Sequence, residues 1–119
     1  MRVRTVVAAF IGLVALPAFA HHSYSMFDLT KDVTLVGTVT KFEWSNPHSH
    51  IYLNVVGTDG KETEWQIEAG SPNGMGRRGW KSTSLAPGEK VTLSGHPLRD
   101  GTNGASLVSV TKADGTILK

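Results

Sequence analysis

The sequence predicts an all-β domain, a small five-stranded barrel, from three observations. Five short segments alternate apolar and polar residues with a period of two, the pattern of strands buried on one face. Turn chemistry punctuates them at Asn46-Pro47, Asp59-Gly60, Pro87-Gly88 and Asp114-Gly115. A single glycine-rich stretch, Gly70 to Leu85, interrupts the succession between the third and fourth segments.

The first strand runs from Val33 to Trp44. Val33, Leu35, Gly37 and Val39 share a face, and the apolar phase then moves to Phe42 and Trp44. A phase change inside one strand predicts a bulge near Thr40-Lys41. After the Ser45-Asn46-Pro47 turn, the second strand spans His48 to Val56, with Ile51, Leu53 and Val55 inward and His48, His50, Tyr52 and Asn54 outward. A hairpin at Gly57-Thr58-Asp59-Gly60 leads to the third strand, Glu62 to Ala69, with Trp65, Ile67 and Ala69 inward.

The glycine-rich stretch reads as a short helix or crossing loop. Ser71-Pro72 has the pattern of an N-cap followed by proline at the first helical position, the glycines weaken any helix after it, and the segment carries Met75, Trp80 and Leu85. The fourth strand covers Lys90 to Gly95. A loop from His96 to Gly104 follows, then the fifth strand, Ala105 to Thr111, and a tail with Ile117 and Leu118. Five strands with a crossing segment after the third match the oligonucleotide/oligosaccharide-binding (OB) barrel; a small β-sandwich is the alternative.

Ahead of this domain, residues 1–20 read as a secretory signal peptide. Arg2 and Arg4 are its positive region, Val6 to Leu16 its apolar run, and Ala18-Phe19-Ala20 its cleavage signal. The run is too short to span a bilayer, so no membrane anchor is expected after cleavage. Residues 21–32 form a lead-in and residues 33–119 one domain. The expected address is the periplasm, with full secretion as the other outcome of export.

The net charge of +2 comes from the leader. Setting aside Arg2 and Arg4, the 12 basic residues fall to the same number as the 10 acidic ones, so nucleic acid is not an expected partner. The chain has no cysteine, which excludes thiolate metal sites and thiol chemistry.

The histidines carry the sharpest functional expectation. Cleavage after Ala20 makes His21 the N-terminus, where its amine and ring Nδ1 can chelate one metal ion as in a histidine brace. His22 offers a second mode through the amine, the intervening amide and its own ring. His48 and His50 are alternate residues of one strand, their Cα atoms about 6.5–7 Å apart, and His96 follows the fourth strand where it can join them. Nitrogen ligands of this kind suit Cu(II), with Met26 and Asp28 as further candidates.

Arg77 and Arg78, in the crossing segment, are a weaker candidate for anion binding through their guanidinium forks. Trp44, Tyr52, Trp65 and Trp80 are read mainly as core, with Trp65 the firmest and Tyr52 exposed. There is no nucleophile elbow and no recognisable triad order, so no enzymatic activity is assigned.

The opening His21-His22-Ser23-Tyr24 with Phe27-Asp28, the Asn46-Pro47-His48 turn, Arg77-Arg78-Gly79-Trp80, and Gly95-His96-Pro97 with Asp100-Gly101 together resemble a family of small exported proteobacterial proteins. That family is known only as a domain of unknown function. The resemblance spans nearly all of the chain after the leader and implies export and a small β fold, without an activity. The expected function is therefore a periplasmic metal carrier or buffer, for copper. The alternative is a metal-free OB-like module for a small anionic ligand, a saccharide or a protein partner.

Overall fold

A computed structural model describes residues 24–119. The leader, His21 and His22 lie outside the described residues. The elements are β1 (Val33–Glu43), β2 (His50–Val56), β3 (Glu62–Glu68), α1 (Pro72–Gly76), β4 (Lys90–Pro97), β5 (Gly104–Lys112) and the two-residue β6 (Ile117–Leu118). A single 3₁₀ turn, Tyr24–Met26, precedes them.

The strands run in the order β3-β2-β1-β4-β5, and β5 returns to pair with β3 in parallel, closing the sheet on itself. This is the OB-like barrel, with β6 added along β5. Every other pairing is antiparallel. The closing contact is tight. A Cβ on Gly104 would collide with the Leu98 side chain, so glycine lets β5 begin against β3.

The bulge expected in β1 falls between Val39 and Lys41. It moves the inward phase from Val39 to Phe42, which pairs with Ile51. Just before the bulge, the β1–β4 ladder runs on into the turn that precedes β4: Val39 N donates to Glu89 O at 2.8 Å and Gly88 N to Val39 O at 2.7 Å. The inward residues Leu35, Val39, Ile51, Leu53, Ile67, Leu93, Ala105 and Val110 form one buried cluster.

The crossing segment supplies the rest of the core. Ser71 caps α1 by accepting from Gly74 N at 3.1 Å, and Pro72 occupies the first turn. Met75, Trp80 and Leu85 are all buried. The Trp80 ring sits 6.0 Å from that of Phe42, and its Nε1 donates to Lys119 O at 3.0 Å.

Three expectations need adjustment. Trp65 points inward but is only partly buried, whereas Trp80, 2 % exposed, is the tryptophan of the core. Trp65, in the middle of β3, packs against the edge of the core cluster, while Trp80 enters it from the crossing segment. The second strand begins at His50, so His48 precedes it, after a cis Asn46-Pro47 peptide. The fourth strand continues through His96 and Pro97, because an irregularity between Ser94 and Gly95 lets pairing with β5 resume beyond it.

The tryptophans give a direct test of this packing. Trp80→Ala should lower the unfolding free energy by about 3–5 kcal/mol, the range for a buried aromatic truncated to alanine. Trp65→Ala should cost clearly less. Urea denaturation of the two variants measures both; the reverse order would contradict the packing.

Candidate functional site

The register of the barrel sets a row of side chains on its outer face. Glu43 of β1 stands opposite His50 of β2, and His50 opposite Glu68 of β3. Glu68 pairs in parallel with Ser106 of β5, and Ser106 faces His96 of β4. Ile51, Ile67 and Ala105, one residue along, point into the core. Two imidazoles and two carboxylates thus share one belt across five strands, drawn from positions 43 to 106.

Glu68 is the centre of the belt. Its Oε1 lies 2.8 Å from His48 Nδ1, and its side chain is 22 % exposed. A cleft opens on either side of it. The first, about 390 Å³, is bounded by His50, Gln66 and Glu68, by Met26 and Phe27 of the lead-in, and by Leu98, Thr102 and Asn103 between β4 and β5. This is the side of an OB barrel, the β2–β3 face beside the β4–β5 loop, on which ligands bind in that fold. The second, about 270 Å³, is bounded by Glu68, Gly70, Arg78, His96, Ser106 and Lys119, among others.

His48, His50 and His96 are therefore gathered around one carboxylate, but each ring has its own surroundings. His48 is on Glu68. His50 lies beside the Tyr52 ring at 6.5 Å between centroids. His96 Nδ1 is 2.8 Å from Lys31 O and 3.2 Å from Asp32 Oδ1. Among the described residues, no group of three His, Asp or Glu side chains is placed to hold one metal ion. Of the other candidates, Met26 lines the first cleft, Asp28 is engaged with its own segment, and only Arg78 of the arginine pair reaches a cleft.

Glu68 is not among the residues the sequence singles out. Strand parity places it on the same outward face as His50, since the apolar residues of both strands are odd-numbered, but parity alone does not set them opposite each other.

The charges beside His50 are set by near neighbours. Lys41 Nζ lies 2.9 Å from Glu43 Oε2, which holds the Glu43 carboxyl below its ordinary range and raises Lys41; His50 adds a smaller lowering of Glu43. Lys41 also sits 5.5 Å from the centre of the Tyr52 ring. The lead-in that walls the first cleft is pinned by hydrogen bonds to its main chain. Asp28 N donates to Pro97 O at 2.8 Å, Arg99 N to Met26 O at 2.9 Å, and Arg99 Nε to Ser25 O at 3.0 Å.

The fold and site define a class: a single small OB-like barrel with a histidine- and carboxylate-bearing cleft on its β2–β3 face. The chain belongs to a family of unknown function, DUF6152, whose model matches residues 9–107. No curated protein and no solved structure matches it. Among the described residues, no helix is long and apolar enough to cross a membrane.

Asp28 fixes the turn that holds the lead-in, and its titration reports on that turn. Its Oδ1 accepts from Thr30 Oγ1 at 2.6 Å and Thr30 N at 3.1 Å, which lowers its pKa; Lys31 adds to the effect. A lowered carboxyl contributes stability above its unfolded pKa and loses it as pH falls through the folded one. An NMR pH titration should place the Asp28 midpoint below an ordinary aspartate, and Thr30→Ala should move it back up. An ordinary midpoint in the unmodified protein would contradict the turn.

Proposed function

We propose that this chain is an exported copper carrier or buffer whose ion sits in the first cleft. The observation that carries this reading is the meeting of Met26, His50 and Glu68, distant in sequence, on one cleft wall. They meet where the segment leading back to residue 21 joins the barrel. Five residues separate Met26 from His21, at most about 18 Å of chain, so the amine and ring of His21 are within reach of His50. Imidazole and thioether ligands together favour copper, and a carboxylate can complete the set.

In this reading His21 supplies amine and Nδ1, or His22 takes over through its own ring. His50 supplies the barrel's imidazole, and Met26 or Glu68 the remaining position. His48 orients Glu68 through its Nδ1 and is a support rather than a ligand. His96 lies on the far side of Glu68 and takes no part. Such a site is half fixed and half carried on the lead-in, which suits an ion that has to be released as well as held. The charged leader, the apolar run and the A-x-A signal support export to the periplasm.

A metal-free module is the second reading. The cleft is larger than an ion needs, and Gln66, Thr102 and Asn103 place neutral hydrogen-bonding groups around it, as a small saccharide would require.

Calorimetric titration of Cu(II) into the chain beginning at His21 separates the two. His50→Ala, and a residue added ahead of His21, should each weaken binding about tenfold or more, equivalent to roughly 1.4 kcal/mol. His96→Ala should leave it unchanged, and affinity should fall with pH as the ligands protonate. Full binding by His50→Ala, with loss only on extension of the terminus, would mean the terminus alone holds the ion. The metal-free reading would then stand.

A further inference from the structure

We propose that the second cleft is a separate anion site, which takes a small phosphate or carboxylate on the guanidinium of Arg78. It shares the Glu68 wall with the first cleft but uses neither His50 nor Met26. Arg77 and Arg78 are adjacent in sequence but differ in placement. Both are exposed, yet only Arg78 lines a cavity, one of about 270 Å³ that also presents Gly70, Ser106, His96 and Lys119.

The guanidinium lies close to the backbone that leaves β3. A Cβ on Gly70 would come within 3.2 Å of Arg78 Nη2 and of Met75 Cγ, so glycine at this position lets the arginine lie close over the chain. The main chain of Arg78 is fixed in turn, its N–H donating to Met75 O at 2.9 Å, directly after α1. A planar fork set at a cleft wall presents two parallel N–H donors, the geometry that an oxyanion accepts.

The cleft also leaves that charge free to act. Arg99 has Asp28 at 4.0 Å and Lys112 has Glu89 at 3.0 Å, whereas Arg78 has no carboxylate partner among the described residues. Glu68 lines the same cleft and opposes an anion, but its Oε1 is engaged by His48 Nδ1 at 2.8 Å. Ser106, at the wall between Glu68 and His96, adds a neutral hydroxyl.

The test is an NMR titration of the isotopically labelled chain with sodium phosphate and, separately, sodium succinate, at constant ionic strength. Saturable shifts are expected at the Gly70 and Ser106 amides and at the Arg78 side chain. A response to both anions identifies the shared oxyanion chemistry; a response to one identifies which oxyanion the cleft prefers, and either sustains the site. Arg78→Gln should weaken binding about tenfold or more, Arg78→Lys should weaken it through loss of the fork, and Arg77→Gln should leave it within about twofold. Because Arg78 is exposed, these variants should fold as the parent does, which their unchanged amide spectra away from the cleft will show. Absence of shifts at Gly70 and Ser106, or equal weakening by Arg77→Gln and Arg78→Gln, would overturn the proposal. Neither outcome bears on copper, which is read at His50 in the other cleft.

Discussion

The pairing of β3 with β5 is the constraint on which the rest of this molecule depends. Gln66, Ile67 and Glu68 lie in parallel register with Gly104, Ala105 and Ser106. A parallel pair needs a crossover between its strands, and here the chain travels through the glycine-rich segment and β4 before it returns. The contact buries Ile67 and Ala105 completely and turns an open meander into a barrel. It also brings Glu68 beside Ser106 and, one strand further, His96. Without the closure there would be no belt and no pair of clefts around Glu68.

The core is filled from two directions. The strands deliver alternate aliphatic residues, and the crossing segment delivers Met75, Trp80 and Leu85 from outside the sheet. With no cysteine to staple it, the domain relies on this packing and on turns fixed by short side chains. Asp28, Asp100 and Asp114 each accept from a threonine two residues ahead, and each carboxyl is lowered by that bond. Two of these turns, at Asp28 and Asp100, lie in the segments that wall the first cleft. The edges of the proposed site are therefore held by local hydrogen bonding, and its floor by the sheet.

Much of this was legible in advance, and the reason is parity. Ile51, Leu53 and Val55 are odd-numbered, as are Trp65, Ile67 and Ala69, so any register that keeps both sets inward pairs residues whose numbers add to an even total. A two-residue turn centred on Asp59-Gly60 gives an odd total and would turn one set outward. The chain uses a three-residue loop instead, with Gly57 N donating to Lys61 O at 2.8 Å and Gly60 at φ +78°. That choice places Glu68, rather than Ala69, opposite His50. The bulge in β1 was legible for a similar reason, since Val39 and Phe42 cannot both face inward along a regular strand. What alternation could not reveal was non-local. The parallel closure, the partial exposure of Trp65, and the convergence of Met26 on His50 all come from chain segments far apart. His48 and His50 have the spacing of a strand pair, but β2 starts only at His50, and His48, in the turn before it, meets Glu68 instead.

The central claim is that the barrel, and not only the chain terminus, holds the metal. Anomalous diffraction at the copper edge, from crystals of Cu(II)-loaded chain beginning at His21, tests it most directly. One strong peak is expected in the first cleft, about 2 Å from a ring nitrogen of His50 and from the amine of His21, ordinary metal–nitrogen distances. A peak bound by the terminal residues alone, with His50 out of contact, or a peak at His96 instead, would contradict it.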